Sequence, residues 1–158
     1  MDSGKRFEER FHNSLRALPG ASMRIEDGGM YAMNRQLGDF FFWPEHPATL
    51  LFECKAERTK SFDLRRVQWG VPNGQIDRMA GWAKRSAGRF AYIALNFYDH
   101  ESYRKKNVCY IIPLGVFESL AKRAEAQGRK SIPEKWLGDP VPNTGPIYDL
   151  RDWLKSQG

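Results

Sequence analysis

Two apolar segments in the second half of the chain constrain the fold most. RFAYIALNFY, residues 89–98, and NVCYIIP, residues 107–113, are rich in β-branched and aromatic residues, which favour pleated sheets. Two earlier segments have the same character, GDFFFW at 38–43 and TLLFECKA at 49–56, and the PEHP turn between them predicts a hairpin. A short strand and a Gly-Gly turn at 28–29 are also expected within residues 21–37. The chain is therefore expected to contain a buried sheet.

Helical patterns alternate with these strands. Apolar residues recur at helical spacing in residues 4–18, where Pro19 and Gly20 end the pattern. Further helices are predicted from Asn73 or Gly74 to Gly88, over LGVFESLAKRAEAQ before Gly128, and after Asp149. The order of elements predicts the α/β class, with a mixed central sheet flanked by helices. We expect one domain over residues 1–158, with the Pro-rich tail 133–158 packed on it.

Composition limits the classes of function. The net charge is +6, from 25 Lys and Arg against 19 Asp and Glu, which favours an acidic partner but also fits a solvated basic face. No apolar run has the length of a membrane span, and the charged N-terminus lacks an apolar signal core, so we expect a cytoplasmic protein. Cys54 and Cys109 are predicted to be buried and reduced, and no Cys/His spacing is typical of zinc.

The strand at 49–56 carries charge out of an apolar run. Strand alternation places Glu53 and Lys55 on one face and Cys54 on the other. If the hairpin forms, Asp39 comes beside Glu53, and two close carboxylates repel each other unless a cation lies between them. Mg²⁺ suits a pair of carboxylates, and Lys55 would orient a water or stabilise charge on a phosphate. The alternative is a surface ion pair at a strand end, with Asp39 ending a turn.

The pattern Asp-x13-Glu-x-Lys resembles the signature of the PD-(D/E)xK nucleases, and more narrowly the RecU-type Holliday junction resolvases. Four segments carry the narrower resemblance in chain order, from residue 4 to residue 137: GKRFEERFHNSL, FECKAERTKSFDL, GQIDRM and GRKSIPEKWL. The resemblance implies a restriction-endonuclease-like core. Two features depart from the family: Leu37 replaces its usual threonine, and residues 20–37 replace its long basic projection, with Arg24 and Arg35 as their only basic residues.

The resemblance also implies roles for particular residues. Asp39, Glu53, Gln75 and Glu8 would bind Mg²⁺ or Mn²⁺, and Lys55 would stabilise the transition state or position the water. Glu9 is the alternative to Glu8, and Gln75 has the alternative of capping its helix. The expected contacts to DNA phosphates come from basic residues around this site: Arg58, Lys60, Arg65, Arg66, Arg78 and Lys84.

The function implied is a metal-dependent, structure-selective DNA endonuclease, most closely a junction resolvase. It would nick two strands symmetrically as a homodimer, leaving a 5′-phosphate and a 3′-hydroxyl, without a small-molecule cofactor or a membrane partner. Two alternatives stay open: a less selective nuclease acting on flaps, duplex ends or foreign DNA, and an inactive nucleic-acid-binding protein. Trp69 is expected either to pack in the core or to stack on an unpaired base.

Overall fold

A mixed five-stranded sheet organises the protein, whose computed structural model describes residues 2–25, 37–99 and 106–157. Its strands are β1 (Gly20–Arg24), β2 (Phe40–Pro44), β3 (Thr49–Glu57), β5 (Arg89–Tyr98) and β6 (Asn107–Pro113). They lie in the order β1-β2-β3-β5-β6. Among the pairs of this sheet, only β3–β5 is parallel. The predicted hairpin of β2 and β3 is confirmed, as is the α/β class with helices flanking a mixed sheet.

Parallel pairing of β3 and β5 requires the chain to cross over one face of the sheet, because antiparallel strands alone can be joined by a tight turn. The crossover contains a short strand, a 3₁₀ helix at Leu64–Val67 and a longer helix. The helices of the protein are α1 (Ser3–Arg16), α2 (Gln75–Lys84) in this crossover, α3 (Leu114–Ala126) and α4 (Arg151–Ser156).

Each face of the sheet buries its own apolar core. On the first face, Phe7 and Phe11 of α1 pack against Phe40 and Phe52 of the sheet. On the second face, α2 and α3 cover the sheet with a core that includes Ile76, Met79 and Phe117. Alternation along the strands produces this division, since successive side chains point to opposite faces. The second face is the one that carries the polar residues of the candidate site.

A second, two-stranded sheet was not predicted. It pairs β4 (Ser61–Asp63) with β7 (Ser131–Pro133). The sequence predicts a basic loop over residues 57–74, which include β4, and no strand after the third predicted helix, where β7 lies. Each strand has only three residues, so neither shows a readable periodicity, and the pairing joins segments that are distant in sequence. The sheet is anchored by Phe62 and Ile132, both of which are fully buried in the second-face core.

Other expectations have simpler outcomes. Cys54 and Cys109 are both buried and free, as predicted. None of the helices in the described part of the chain is both long and apolar enough to cross a membrane. Trp69 packs against the second-face core, and its indole Nε1 donates to Glu125 Oε1 at 2.9 Å, which favours packing over stacking on a base. The predicted Gly-Gly turn at 28–29 lies outside the described residues.

Candidate active site

Asp39 lies beside Glu53 at the end of the β2–β3 hairpin. The pairing of the two strands ends with Phe40 and Phe52, Asp39 directly precedes that pair, and the side chains of Asp39 and Glu53 line one polar cleft. Two hydrogen bonds tie Asp39 to β3: its backbone N–H donates to Phe52 O at 2.8 Å, and its Oδ2 accepts from the Cys54 N–H at 2.7 Å. The carboxylate is therefore held by the main chain of β3, which gives it a fixed position beside Glu53.

Glu53 is a buried acid, with a relative exposure of 6%. Its Oε1 lies 3.1 Å from Lys55 Nζ, which projects from the same face of β3. The pKa of Glu53 is raised to about 8, first by burial and then by the neighbouring charge of Asp39, while Lys55 acts in the opposite direction. One ammonium therefore does not offset the cost of ionising this carboxyl. The pair Asp39–Glu53 favours a bound proton or a bound cation at neutral pH.

Gln75 comes from the crossover and completes one side of the site. It is the first residue of α2, and its Nε2 donates to Leu37 O at 2.8 Å, directly before the acidic hairpin. Its Oε1 accepts no hydrogen bond from the residues that the structure describes, so this oxygen can serve as a ligand or accept from a water. The carbonyl of Leu37, the residue at the position of the family threonine, is thus occupied by Gln75.

The turn before α2 holds Gln75 in place. Gln68 has a left-handed backbone, φ 54°, and its side-chain Oε1 accepts from the Gln75 N–H at 2.9 Å. Gly74 is packed so closely that a Cβ would meet Val71 O at 2.8 Å and Gln68 O at 2.9 Å. The loop is therefore closed around a position that admits only glycine without rearrangement. Sequence reasoning missed Gln68, because a helix-capping glutamine seven residues upstream has no motif.

These side chains line a polar cleft of about 560 Å³ on the second face. It is formed by Asp39, Glu53, Lys55, Arg65, Arg66, Gln68, Gln75 and Arg78. All of these residues except Gln68 were predicted as site residues. They come from the β2–β3 hairpin, the 3₁₀ helix and α2, so the fold brings most of the predicted site together.

Two of the three arginines of the cleft, Arg65 and Arg66, differ in the partners that hold their side chains. Arg65 is exposed and forms a forked pair with Asp63, with Nη2 2.7 Å from Oδ2. Arg66 donates from Nη1 to Ala56 O at 2.5 Å and lies 3.2 Å from Glu57 Oε2, so it fastens the 3₁₀ helix to the end of β3. Arg65 is therefore the more available of these two for a phosphate, whereas Arg66 has a structural role.

Glu8 does not line the cleft. Its Oε2 accepts from Arg24 Nη2 at 2.9 Å, between α1 and β1. Burial raises the pKa of Glu8, and the charge of Asp39 raises it further, so the two acids are near enough to interact. Glu9 is exposed on α1. The assignment of Glu8 as an additional acid stays a prediction.

The remaining predicted phosphate contacts lie away from the cleft. Arg58 is exposed just after β3, and Lys60 lines a separate groove beside the small sheet. Lys84, at the end of α2, borders a third depression next to Arg89 and Phe90. The contacts predicted from sequence therefore divide between the cleft and two other surfaces.

The donor set of the cleft fits a hard divalent cation. Mg²⁺ is bound in proteins by one or two carboxylates and keeps several waters, and Asp39, Glu53 and the Gln75 amide offer only oxygens. Within the described ranges, no group of three or more His, Cys, Asp and Glu residues is arranged to hold a metal. That finding excludes a dense ligand cluster there but not a two-carboxylate site. The pKa of Glu53 is raised by burial and by the charge of Asp39, and a cation bound by the two carboxylates would lower it.

Comparisons with known proteins do not assign the chain to a family. No family model matches the sequence, and no curated protein matches it either. A function for the chain therefore rests on the residues of the cleft.

Proposed function

We propose that the protein is a Mg²⁺-dependent DNA endonuclease with a PD-(D/E)xK-type core, most closely a junction resolvase. One observation carries the proposal: Asp39, directly before β2, and Glu53 of β3 line the same cleft, with Lys55 Nζ 3.1 Å from Glu53 and with three arginines also in the lining. A basic, oxygen-lined cleft of this kind suits a phosphodiester together with a divalent cation. The family resemblance of the sequence and the mixed sheet give further support.

The acidic pair would hold the metal, which supplies Lewis-acid activation of the phosphate and of a water when bound. Asp39 can act without reorganisation because the Cys54 N–H already fixes its Oδ2. Glu53 must lose the proton that its burial favours, so metal binding and ionisation of this carboxyl are coupled. The Gln75 Oε1 would orient a water or complete the ligand set.

Lys55 would act on the phosphate. Its side chain is partly exposed to the cleft while its Nζ stays beside Glu53, so the ammonium is positioned before substrate arrives. As negative charge grows on the phosphate oxygens, a fixed cation at this position stabilises the transition state more than the ground state. Arg65 and Arg78 of the cleft would hold neighbouring phosphates without reading base sequence, so affinity should decrease steeply with salt.

Selectivity for a four-way junction is one of two candidates. The segment 20–37 is shorter and less basic than the projection of the family that it resembles, and this favours a less selective nuclease of the same fold. Most of that segment, residues 26–36, lies outside the described residues. Symmetric nicking of a junction would need two cleft copies related by a two-fold axis, which makes a homodimer part of the resolvase proposal.

The decisive experiment compares DNA forms. The protein is incubated with a labelled four-way junction and with linear duplexes of the same arm sequences, with Mg²⁺ or with chelator. We expect Mg²⁺-dependent nicking that Asp39→Asn abolishes, whereas Asp77→Asn, which removes an exposed acid from α2, leaves it intact. Paired nicks in the junction alone support a resolvase, and cleavage of both forms supports the less selective nuclease.

Two results would count against the proposal. Binding of DNA without cleavage of any form, at all Mg²⁺ and Mn²⁺ concentrations, would identify an inactive nucleic-acid-binding protein. Cleavage that survives Asp39→Asn would locate the activity elsewhere or in a contaminant. Measurement of the molecular mass in solution, free and with junction, tests the homodimer separately.

A further inference from the structure

A second basic groove lies beside the small β4–β7 sheet. It has a volume of about 490 Å³ and is lined by three cations, Lys60, Arg129 and Lys135, together with Tyr110 and Glu134 and with Ser61, Pro133 and Gly138. Only Lys60 was among the predicted phosphate contacts. Arg129 belongs to the GRKSIPEKWL segment, to which the proposed chemistry gives no role.

The small sheet joins this groove to the active-site cleft. Its pairs run from Ser61 with Pro133 at one end to Asp63 with Ser131 at the other, a length of about 10 Å for three residues. Beyond the Asp63 end, Leu64 N–H donates to Lys130 O at 3.0 Å, and the next residue, Arg65, lines the cleft. At the opposite end, Glu134 N–H donates to Lys60 O at 2.8 Å. The cleft and the groove thus lie at opposite ends of this small sheet.

The cations of the groove are not neutralised by nearby acids. Glu134 is already engaged, since it pairs with Lys106 and accepts from the Tyr110 hydroxyl at 2.8 Å. At the cleft end, Asp63 is used by Arg65. Four exposed cations form no salt bridge with any residue in the described ranges: Lys60, Arg129, Lys130 and Lys135. This surface therefore carries a local excess of positive charge.

Trp136 positions one of the cations of the groove, Arg129. Its ring contacts two guanidinium groups, with Arg123 Cζ 4.0 Å and Arg129 Cζ 5.6 Å from the ring centroid. Contact with an aromatic ring holds an arginine while leaving its N–H groups free to bind an anion. Arg129 is therefore partly ordered before any ligand binds, which lowers the entropic cost of a phosphate contact.

We propose that this groove binds the phosphate backbone of the DNA arm that extends from the cleft. The inference rests on the proposed function, because the cleft must hold the phosphate to be cut. Continuity decides the partner: a duplex that occupies the cleft and runs along the small sheet presents successive phosphates to Arg65 and then to Lys60, Arg129 and Lys135. An isolated acidic peptide or a lipid surface would not need this alignment with the cleft.

The test compares two triple variants that each remove three positive charges. The groove variant is Lys60→Ala with Arg129→Ala and Lys135→Ala. The control is Lys5→Ala with Arg16→Ala and Lys155→Ala, which are exposed residues on the elements that cover the other face. Binding of a fluorescent 20-base-pair duplex is measured by anisotropy in chelator, over a range of salt concentrations.

We expect the groove variant to bind the duplex at least tenfold more weakly than the control variant does. Its plot of log affinity against log salt should be less steep by up to about 3, because each phosphate contact contributes about 0.9 to the slope. Equal losses in the two triple variants would overturn the proposal.

Its failure can be told apart from that of the endonuclease proposal. If the wild type cleaves DNA but the groove variant binds the duplex like the control variant, the groove proposal fails and the nuclease proposal stands. If no DNA is cleaved but the groove variant binds the duplex more weakly than the control variant, the nuclease proposal fails and the groove proposal stands. Loss of binding to vesicles containing phosphatidylserine, with DNA affinity unchanged, would assign the surface to lipid and overturn it. Should the triple variant fail to fold, Lys60→Glu with Lys135→Glu gives the same measurement.

Discussion

The buried acid Glu53 makes a prediction about stability that needs no substrate. Its pKa is raised to about 8 in the folded protein, chiefly by burial, from an ordinary value of 4.5 in an unfolded chain. The folded state therefore keeps a proton that the unfolded chain releases between these two pH values. Its stabilising contribution is fully present below pH 4.5 and is lost as the pH rises towards 8. The free energy of unfolding therefore falls by about 2 to 3 kcal/mol between pH 5 and pH 7.

Glu53→Gln should remove this pH dependence, because the amide resembles the protonated acid and cannot ionise. The free energy of unfolding is measured by urea titration of the chelated wild type and variant at pH 5, 6, 7 and 8. We expect the free energy of unfolding of the variant to gain about 2 to 3 kcal/mol relative to that of the wild type between pH 5 and pH 7. Glu9→Gln, at an exposed position of α1, controls for the loss of one carboxylate. A difference between wild type and Glu53→Gln that is constant with pH would refute the reasoning.

Other predictions concern the cleft and its supports. Lys55→Ala should lower the single-turnover cleavage rate by about 10² to 10³ while calorimetry still detects Mg²⁺ binding, and an unchanged rate would reduce the Lys55–Glu53 pair to a structural ion pair. Gly74→Ala should destabilise the protein by about 1 to 3 kcal/mol in thermal unfolding, since its Cβ would meet a carbonyl oxygen at 2.8 Å. Gly81→Ala, where nothing lies within 4 Å of the added Cβ, should instead stabilise α2 by about 0.5 to 1 kcal/mol, and the same sign in both variants would contradict this account. Arg66→Ala should lower the free energy of unfolding by about 1 to 3 kcal/mol, because it removes the guanidinium that donates to Ala56 O. If urea titration gives the same free energy for variant and wild type, water replaces the guanidinium.

Local signals predicted the part of the site that one hairpin builds. Alternation along β3 assigned Glu53 and Lys55 to one face, and a short turn made the pairing with the strand after Asp39 the simplest arrangement. Gln75 was assigned to the site only by the resemblance of the GQIDRM segment, although the start of its helix was predicted from the sequence.

Long-range pairings explain what could not be predicted. β4 and β7 are three residues each and find each other across 70 positions of sequence, so no periodic pattern announces either strand. The groove formed by Lys60, Arg129 and Lys135 depends on that pairing, and it was invisible for the same reason. The division of Arg65 and Arg66 into a surface cation and a structural one depends on their partners, Asp63 and Ala56, which composition does not reveal.

The anchoring of Asp39 to the Cys54 N–H has a consequence for mutational tolerance. The alignment of β2 on β3 that aims this acid at Glu53 is also the one that buries Phe40 and Phe42, both fully enclosed. A shift by one position would turn both phenylalanines towards the polar cleft, so a folded but misaligned form has no stable core. Substitutions of Phe40 or Phe42 should thus lower the yield of folded protein, while the molecules that do fold keep Asp39 beside Glu53.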